Sequence, residues 1–204
     1  MTMTMKTTVF TFRQSQSSEE ISDLQAHLAQ LDGEPFCFLR VSYGDELTLH
    51  FGRLHSGISP KTKHRQFGDY VLGVRASRWL LKSDEFLVAP ADVLAHSTIL
   101  PSAFRNITKE ELESGTFIGA GSRVLSVTAF VVKQLKAIGL QMVFSDGTAL
   151  VVLPSERGPD DQEKSGTPEL ADWDLLTPSG QVSAYPGPRW GFEKKEEKRS
   201  VPAK

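Results

Sequence analysis

Leu47-Thr48-Leu49-His50-Phe51 and Leu140-Gln141-Met142-Val143-Phe144 decide how this chain is read. Successive side chains of a strand point to opposite faces. Positions 47, 49 and 51, and likewise 140, 142 and 144, therefore give each run one wholly apolar face. Working outward, Phe51 lies 28 positions before Trp79, and Phe144 lies 29 before Trp173. Beyond each tryptophan the match continues without a gap: Leu81 falls on Leu175, Ser83 on Thr177 and Val88 on Val182. Two intervals differing by one residue, each ending at Trp and followed by a polar turn, predict two related antiparallel β units. Each unit buries its tryptophan, which brings a large apolar surface and one N–H in need of an acceptor.

The surrounding pattern fills in both units. Ser17-Ser18-Glu19-Glu20 has the form of a capping box. Ile21, Leu24, Leu28 and Leu31 then recur at spacings of three and four, which predicts an amphipathic helix ended by Gly33. Phe36-Cys37-Phe38-Leu39-Arg40-Val41 is joined to the Leu47 run by Tyr43-Gly44-Asp45-Glu46, a hairpin with a short polar loop. Residues 53–67 read as a loop, followed by strands at 70–74, 79–81 and 86–88. Residues 90–96 and 108–114 read as short helices, the second with a capping box from Thr108 to Glu111. Strands return at 116–118, 124–132, 140–144 and 150–153, with Asp146-Gly147 as a tight turn. Residues 155–170 have no apolar period and read as a mobile loop. Strands at 173–176 and 182–185 flank Pro178-Ser179-Gly180.

The expected class is α+β, mostly β, with two related antiparallel β units, an N-terminal helix and short connecting helices. The expected division is 1–33 for the N-terminal segment and helix, 34–90 for β unit 1 and 91–115 for a helical connector. Residues 116–192 form β unit 2, and 193–204 a disordered charged tail.

Composition narrows the function classes. The chain has 204 residues, 39% hydrophobic and 24% charged, near globular norms, so wholesale disorder is not expected. A formal net charge of −2 gives no global attraction to nucleic acid or anionic membrane. The single Cys37 excludes an intramolecular disulfide and, inside an apolar run, reads as a buried inert thiol. No apolar stretch reaches the roughly 18–20 residues of a membrane-spanning helix. With no signal-peptide core after Met-Thr-Met-Thr-Met-Lys, a cytoplasmic protein is expected.

Catalytic and cofactor motifs give little. There is no Walker loop, no Gly-x-Ser-x-Gly elbow and no Cys-x-x-Cys, so no cofactor is assigned. Gly119-Ala120-Gly121-Ser122 resembles half a phosphate loop, but a strand pattern follows it rather than a helix whose N-terminus could hold an anion. Asp160, Asp161 and Glu156 share one polar loop without convergent ligands. The concentrated feature is residues 50–82, which hold Arg53, Lys61, Lys63, Arg65, Arg75, Arg78 and Lys82. The same stretch carries His50, His55 and His64 against the single acid Asp69 before residue 82. Such a patch attracts phosphates or acidic partner surfaces. Arg75 and Arg78 flank Ala76-Ser77 before Trp79, so one of them can pack over an aromatic face instead. Trp190, within Pro186-Gly187-Pro188-Arg189-Trp190-Gly191-Phe192, reads as either a lid on the core or an exposed contact.

These features order the functional readings. The first is a non-enzymatic protein–protein interaction module, of inhibitor, immunity or accessory-subunit type. Its candidate binding residues are Arg53, His55, Lys61, Lys63, His64, Arg65, Arg75, Arg78 and Trp190. The second is a nucleic-acid or phosphate-ligand binder acting through residues 53–82. The third is a metal-independent phosphodiesterase using His50, His55 and His64 with Arg53 or Arg65. Against it, His50 and His55 would face opposite sides of a continuous strand. Zinc binding by the same histidines lacks the usual spacing. A sensor with its pocket between the β units has only the general habit of domain junctions in its favour.

Overall fold

The computed structural model describes residues 11–14, 18–41, 46–57, 61–75, 78–83, 87–88, 118–119, 121–132, 137–154 and 171–195. In chain order these hold β1 (Thr11–Gln14), α1 (Ser18–Leu28), β2 (Phe36–Val41), β3 (Leu47–Phe51), β4 (His55–Ser56) and β5 (Gln66–Phe67). There follow β6 (Tyr70–Val74), β7 (Arg78–Lys82), β8 (Leu87–Val88), β9 (Val124–Val132), β10 (Ala137–Phe144) and β11 (Ala149–Leu153). The series ends with β12 (Trp173–Thr177), β13 (Gly180–Tyr185) and β14 (Arg189–Lys194). The described part is mostly β, with antiparallel sheets and one α-helix. The helices expected at 90–96 and 108–114, the loop at 155–170 and most of the 43–46 turn lie outside the described residues.

The strands form a seven-stranded sheet in the order β1-β14-β13-β12-β6-β3-β2 and a five-stranded sheet in the order β8-β7-β11-β10-β9. Alternation explains the layering. Leu49, Leu72, Leu175 and Val182 line one face of the larger sheet, while Leu81, Leu140, Met142, Leu150 and Val152 line one face of the smaller. All are buried in a single core. Phe51 and Phe144 stack with ring centroids 6.4 Å apart, and Phe36 meets both rings edge-on. The Trp173 indole N–H crosses between the sheets to donate to the Ile138 carbonyl at 3.0 Å, so its one polar group is satisfied inside the core.

The two sheets share one ladder plan. In the larger, Leu47 pairs with Val74, which pairs with Trp173; in the smaller, Leu140 pairs with Val152, which pairs with Trp79. Two residues along, Leu49, Leu72, Leu175 and Val182 form a row, and Met142, Leu150, Leu81 and Val88 form the corresponding one. Each outer strand has one extra residue at the same place, Cys37 on β2 and Leu125 on β9. The strands exchange: after β6 the chain leaves the larger sheet for β7 in the smaller, and after β11 it returns to the larger as β12. Where β2 and β9 begin, Pro35 bridges Arg123. There the Phe36 N–H donates to the Ser122 carbonyl at 2.8 Å and the Val124 N–H to the Glu34 carbonyl at 3.0 Å.

Helix α1 covers the free edge of β9. Leu24, Leu28 and, just beyond it, Leu31 are fully buried, as the apolar stripe requires. The Gln25 carboxamide then acts as a short strand: it donates to the Val127 carbonyl and accepts from the Ala129 N–H at 3.1 Å. Both are ladder groups that a free edge strand leaves unpaired. On its other side the helix meets the β13–β14 hairpin. His27 stacks on Phe192 at 4.2 Å, and Gln30 accepts from the Ser179 hydroxyl at 3.1 Å.

Two expectations differ from what is observed. The stretch 53–67 is not loop throughout, because β4 and β5 pair as a small hairpin of their own; residues 58–60 lie outside the described residues. Residues 193 and 194 are not tail, because they extend β14, where Glu193 pairs with Gln181 and Lys194 with Gly180. A charged residue on the outward face of a strand interrupts no ladder, so the charge run concealed the strand's end.

Candidate interaction site

The hairpin built by β4 and β5 grows from the end of the β3–β6 pair. His55 pairs with Phe67 and Ser56 with Gln66. The Arg65 N–H donates to the Thr62 carbonyl at 2.8 Å, and the Gly57 N–H to the Arg65 carbonyl at 3.0 Å. Gly57 packs so closely on Thr62 that a side chain there would collide with its carbonyl and hydroxyl. At the base, a side chain on Gly68 would strike the backbone of Phe51. The Gly68 N–H donates to Nδ1 of His50 at 3.3 Å, and the Arg53 N–H to Oδ2 of Asp69 at 3.1 Å. These contacts tie the described residues of the hairpin to the end of the β3–β6 pair.

His50 belongs to this foundation. It is 3% exposed, its ring stacked on Phe38 at 4.3 Å with Phe67 edge-on at 5.9 Å. Burial first, then the charges of Arg40 and His55, push its pKa down to about 4, so it is neutral at physiological pH. With Nδ1 held by Gly68 and the ring packed among aromatics, it serves as a structural acceptor.

Six of the nine candidate residues lie on this element and are exposed: Arg53, His55, Lys61, Lys63, His64 and Arg65. The only acid among residues 53–69 is Asp69, against four Lys and Arg, for a formal charge of +3 on a chain of net −2. Asp69 faces inward to the base, with Oδ1 3.7 Å from Nδ1 of His55 and Oδ2 4.0 Å from Nε of Arg53. The tip carries Lys61, Lys63, His64 and Arg65 without an acid beside them in sequence.

The other three candidates are elsewhere. Arg75 pairs with the buried Asp174 at 2.9 Å on the larger sheet. Burial raises the Asp174 carboxyl, and Arg75 opposes that rise. Arg78 lies on β7 in the smaller sheet, paired with Leu153. Trp190 is 2% exposed in the core beneath α1, with His27 edge-on at 6.0 Å, so it is a core residue and not an exposed contact. Cys37 is half-buried, its thiol donating to the Gly52 carbonyl at 3.1 Å. Burial, and then Asp69 and Glu34, push that thiol up, away from the reactive thiolate.

Phe38, Val71 and Leu176 were not singled out from the sequence. The outward row of the larger sheet runs Phe38, His50, Val71, Leu176 and Gln181, each the direct cross-strand partner of the next. The Arg40 guanidinium lies over the Phe38 ring, 4.9 Å from its centre. Leu176 is 43% exposed, and Leu54, between Arg53 and His55, is 42% exposed. Of this row, Leu176 is exposed and Val71 half-buried, while His50 is covered between Phe38 and Phe67. Leu176 falls on the outward position of a strand, which alternation alone identifies; its place beside Val71 depends on β12 pairing with β6, a contact across about 100 residues. No protein-family model matches the sequence, and no curated protein or solved structure matches the chain.

Proposed function

We propose that the chain is a non-enzymatic protein–protein interaction module, of inhibitor or accessory-subunit type, and that the β4–β5 hairpin is its contact element. One observation carries the reading: a cationic hairpin, hydrogen-bonded to the scaffold at its base, extends from the end of the β3–β6 pair in an otherwise acidic chain. The use of His50 as a packed acceptor argues against an acid–base trio with His55 and His64. The reading of the scaffold as two related β units draws on the matching ladders and outer-strand bulges. In that reading β4 and β5 occupy a position where the second unit has only residues 145–148. The hairpin is then what unit 1 adds to a shared plan, which is where a binding function belongs.

The test is capture from native extract with wild-type protein and with a Lys61→Glu, Lys63→Glu, Arg65→Glu variant. A stoichiometric protein partner that the variant loses is the expected result. No partner, together with substrate turnover by the purified protein, would overturn the reading. A nucleic-acid backbone is the second reading, favoured by the two-stranded form of the hairpin, since a duplex major groove admits such a ribbon. It requires duplex binding that weakens steeply with added salt and is lost in the same variant.

A further inference from the structure

Resting on that reading, we infer that the partner meets the hairpin with a compact acidic patch of about three carboxylates, seated on Lys61, Lys63 and Arg65 at its turn. The Arg65 N–H donates to the Thr62 carbonyl at 2.8 Å, which closes a turn with Lys63 and His64 at its centre. The ends of such a turn lie less than about 7 Å apart, so Lys63, His64 and Arg65 are gathered in one place and Lys61 adjoins them. All four are exposed, and no ion pair among the described residues involves Lys61, Lys63 or Arg65. The foot of the hairpin is the opposite. Asp69 takes up Arg53 and His55 there, and Oε2 of Glu34 and Oδ2 of Asp69 both come within 3.4 Å of the point where a Cβ on Gly52 would sit. Within the hairpin, the positive charge left uncompensated is that of the turn. With +3 from Arg53 to Asp69 and −2 overall, the rest of the chain carries −5. A duplex, with one charge for each ~1.7 Å of its axis, extends past the turn and brings further phosphates toward the foot carboxylates and the acidic remainder. A patch confined to the turn gains the attraction without that repulsion.

The experiment titrates isotope-labelled full-length protein with hexaglutamate at low salt and follows the backbone amides by NMR. The amides of residues 61–65 should shift together and saturate. Lys61→Gln, Lys63→Gln and Arg65→Gln combined should weaken binding at least 10-fold while leaving the resonances of core residues in place. Doubling the peptide to dodecaglutamate should strengthen binding no more than roughly threefold, the gain from added registers alone. A 20-base-pair duplex, where it binds, should lose affinity with salt on a logarithmic slope of about 3, the value for three phosphates. Shifts centred on Arg40, Arg78 or Lys82 instead of the turn, a gain of 10-fold or more with the longer peptide, or a duplex slope of 5 or more would each overturn the inference. If hexaglutamate leaves residues 61–65 unmoved while native capture still returns a hairpin-dependent protein, this inference fails and the interaction function stands. Failure of both experiments removes the function reading as well.

Discussion

Acidification should loosen the hairpin's foundation before it unfolds the sheets, and His50 sets the size of the effect. In the folded chain its pKa is about 4; unfolded, a histidine titrates near 6.5. The depressed value means that the unfolded chain binds the proton more readily between those limits. His50 therefore contributes its stability in full above about pH 6.5, loses it progressively as pH falls toward 4, and adds no slope below. The difference of about 2.5 pH units corresponds to about 3 kcal/mol at most, at 1.36 kcal/mol per unit. Because the ring is 3% exposed, solvent screening takes little from that figure. The comparison is His50→Phe, which keeps an aromatic ring beside Phe38 and Phe67 but cannot titrate. At pH 7.5 the variant should be about 1–2 kcal/mol less stable, because the Gly68 N–H loses its acceptor. Urea unfolding at several pH values between 7.5 and 4 should then show the wild type losing about 3 kcal/mol more than the variant. Carboxylates that titrate in the same range are common to both proteins and cancel. Parallel pH profiles for the two, or an NMR titration placing His50 near 6.5, would refute the argument.

Three further outcomes follow from single contacts. Gln25→Ala should cost about 1–2 kcal/mol by urea unfolding, and light scattering should show concentration-dependent association through the uncovered β9 edge. Trp173→Phe leaves the Ile138 carbonyl without its donor and opens space in the core; a loss of about 2–4 kcal/mol is expected, and a loss below 1 would contradict the buried bond. Arg75→Ala leaves the Asp174 carboxylate buried without its cation, so stability should fall by about 1–3 kcal/mol. The same variant should bind the partner captured by the hairpin unchanged, which separates Arg75 from the contact surface.

The placement of strands was legible because alternation is a local signal. Leu47 to Phe51 and Leu140 to Phe144 each expose one face in sequence, and each is a strand with that face in the core. Pairing partners were not legible, because they are set by contacts such as Val74 with Trp173 and Val152 with Trp79 across the strand exchange. Residues 53–67 were misread for a related reason. A hairpin with two residues in each strand has too few positions for alternation to show, and its order comes from His50, Gly68 and Asp69 outside it. Trp190 was ambiguous because Pro186, Gly187 and Pro188 mark a turn but give no direction to the strand that follows. Six hairpin residues could be named from charge alone; that Phe38, Val71 and Leu176 share one cross-strand row could not be read until β2, β3, β6 and β12 were laid side by side.

The two near-equal intervals before the tryptophans turn out to be built differently, and that changes what supports a duplication. Between Phe51 and Trp79 the long connection, residues 52–69, comes before β6, and the crossing to β7 is residues 75–77. Between Phe144 and Trp173 the order is reversed: residues 145–148 precede β11, and the long connection, residues 154–172, makes the crossing to β12. Lengths of 28 and 29 therefore agree by coincidence, and the interval itself argues nothing. The ladder is a stronger basis for the proposal, because register is fixed by which face is buried and a slip of one residue would turn every side chain to the other face. Each tryptophan is the first core-facing residue after the chain changes sheets, and it pairs with the last core-facing residue of the strand from which the other crossing departs: Trp79 with Val152 of β11, and Trp173 with Val74 of β6. A large side chain at that point fixes the register of the exchange in both directions. On this argument the tryptophans mark the crossing, and the two long connections, residues 52–69 and 154–172, fall at different places in the two runs of strands.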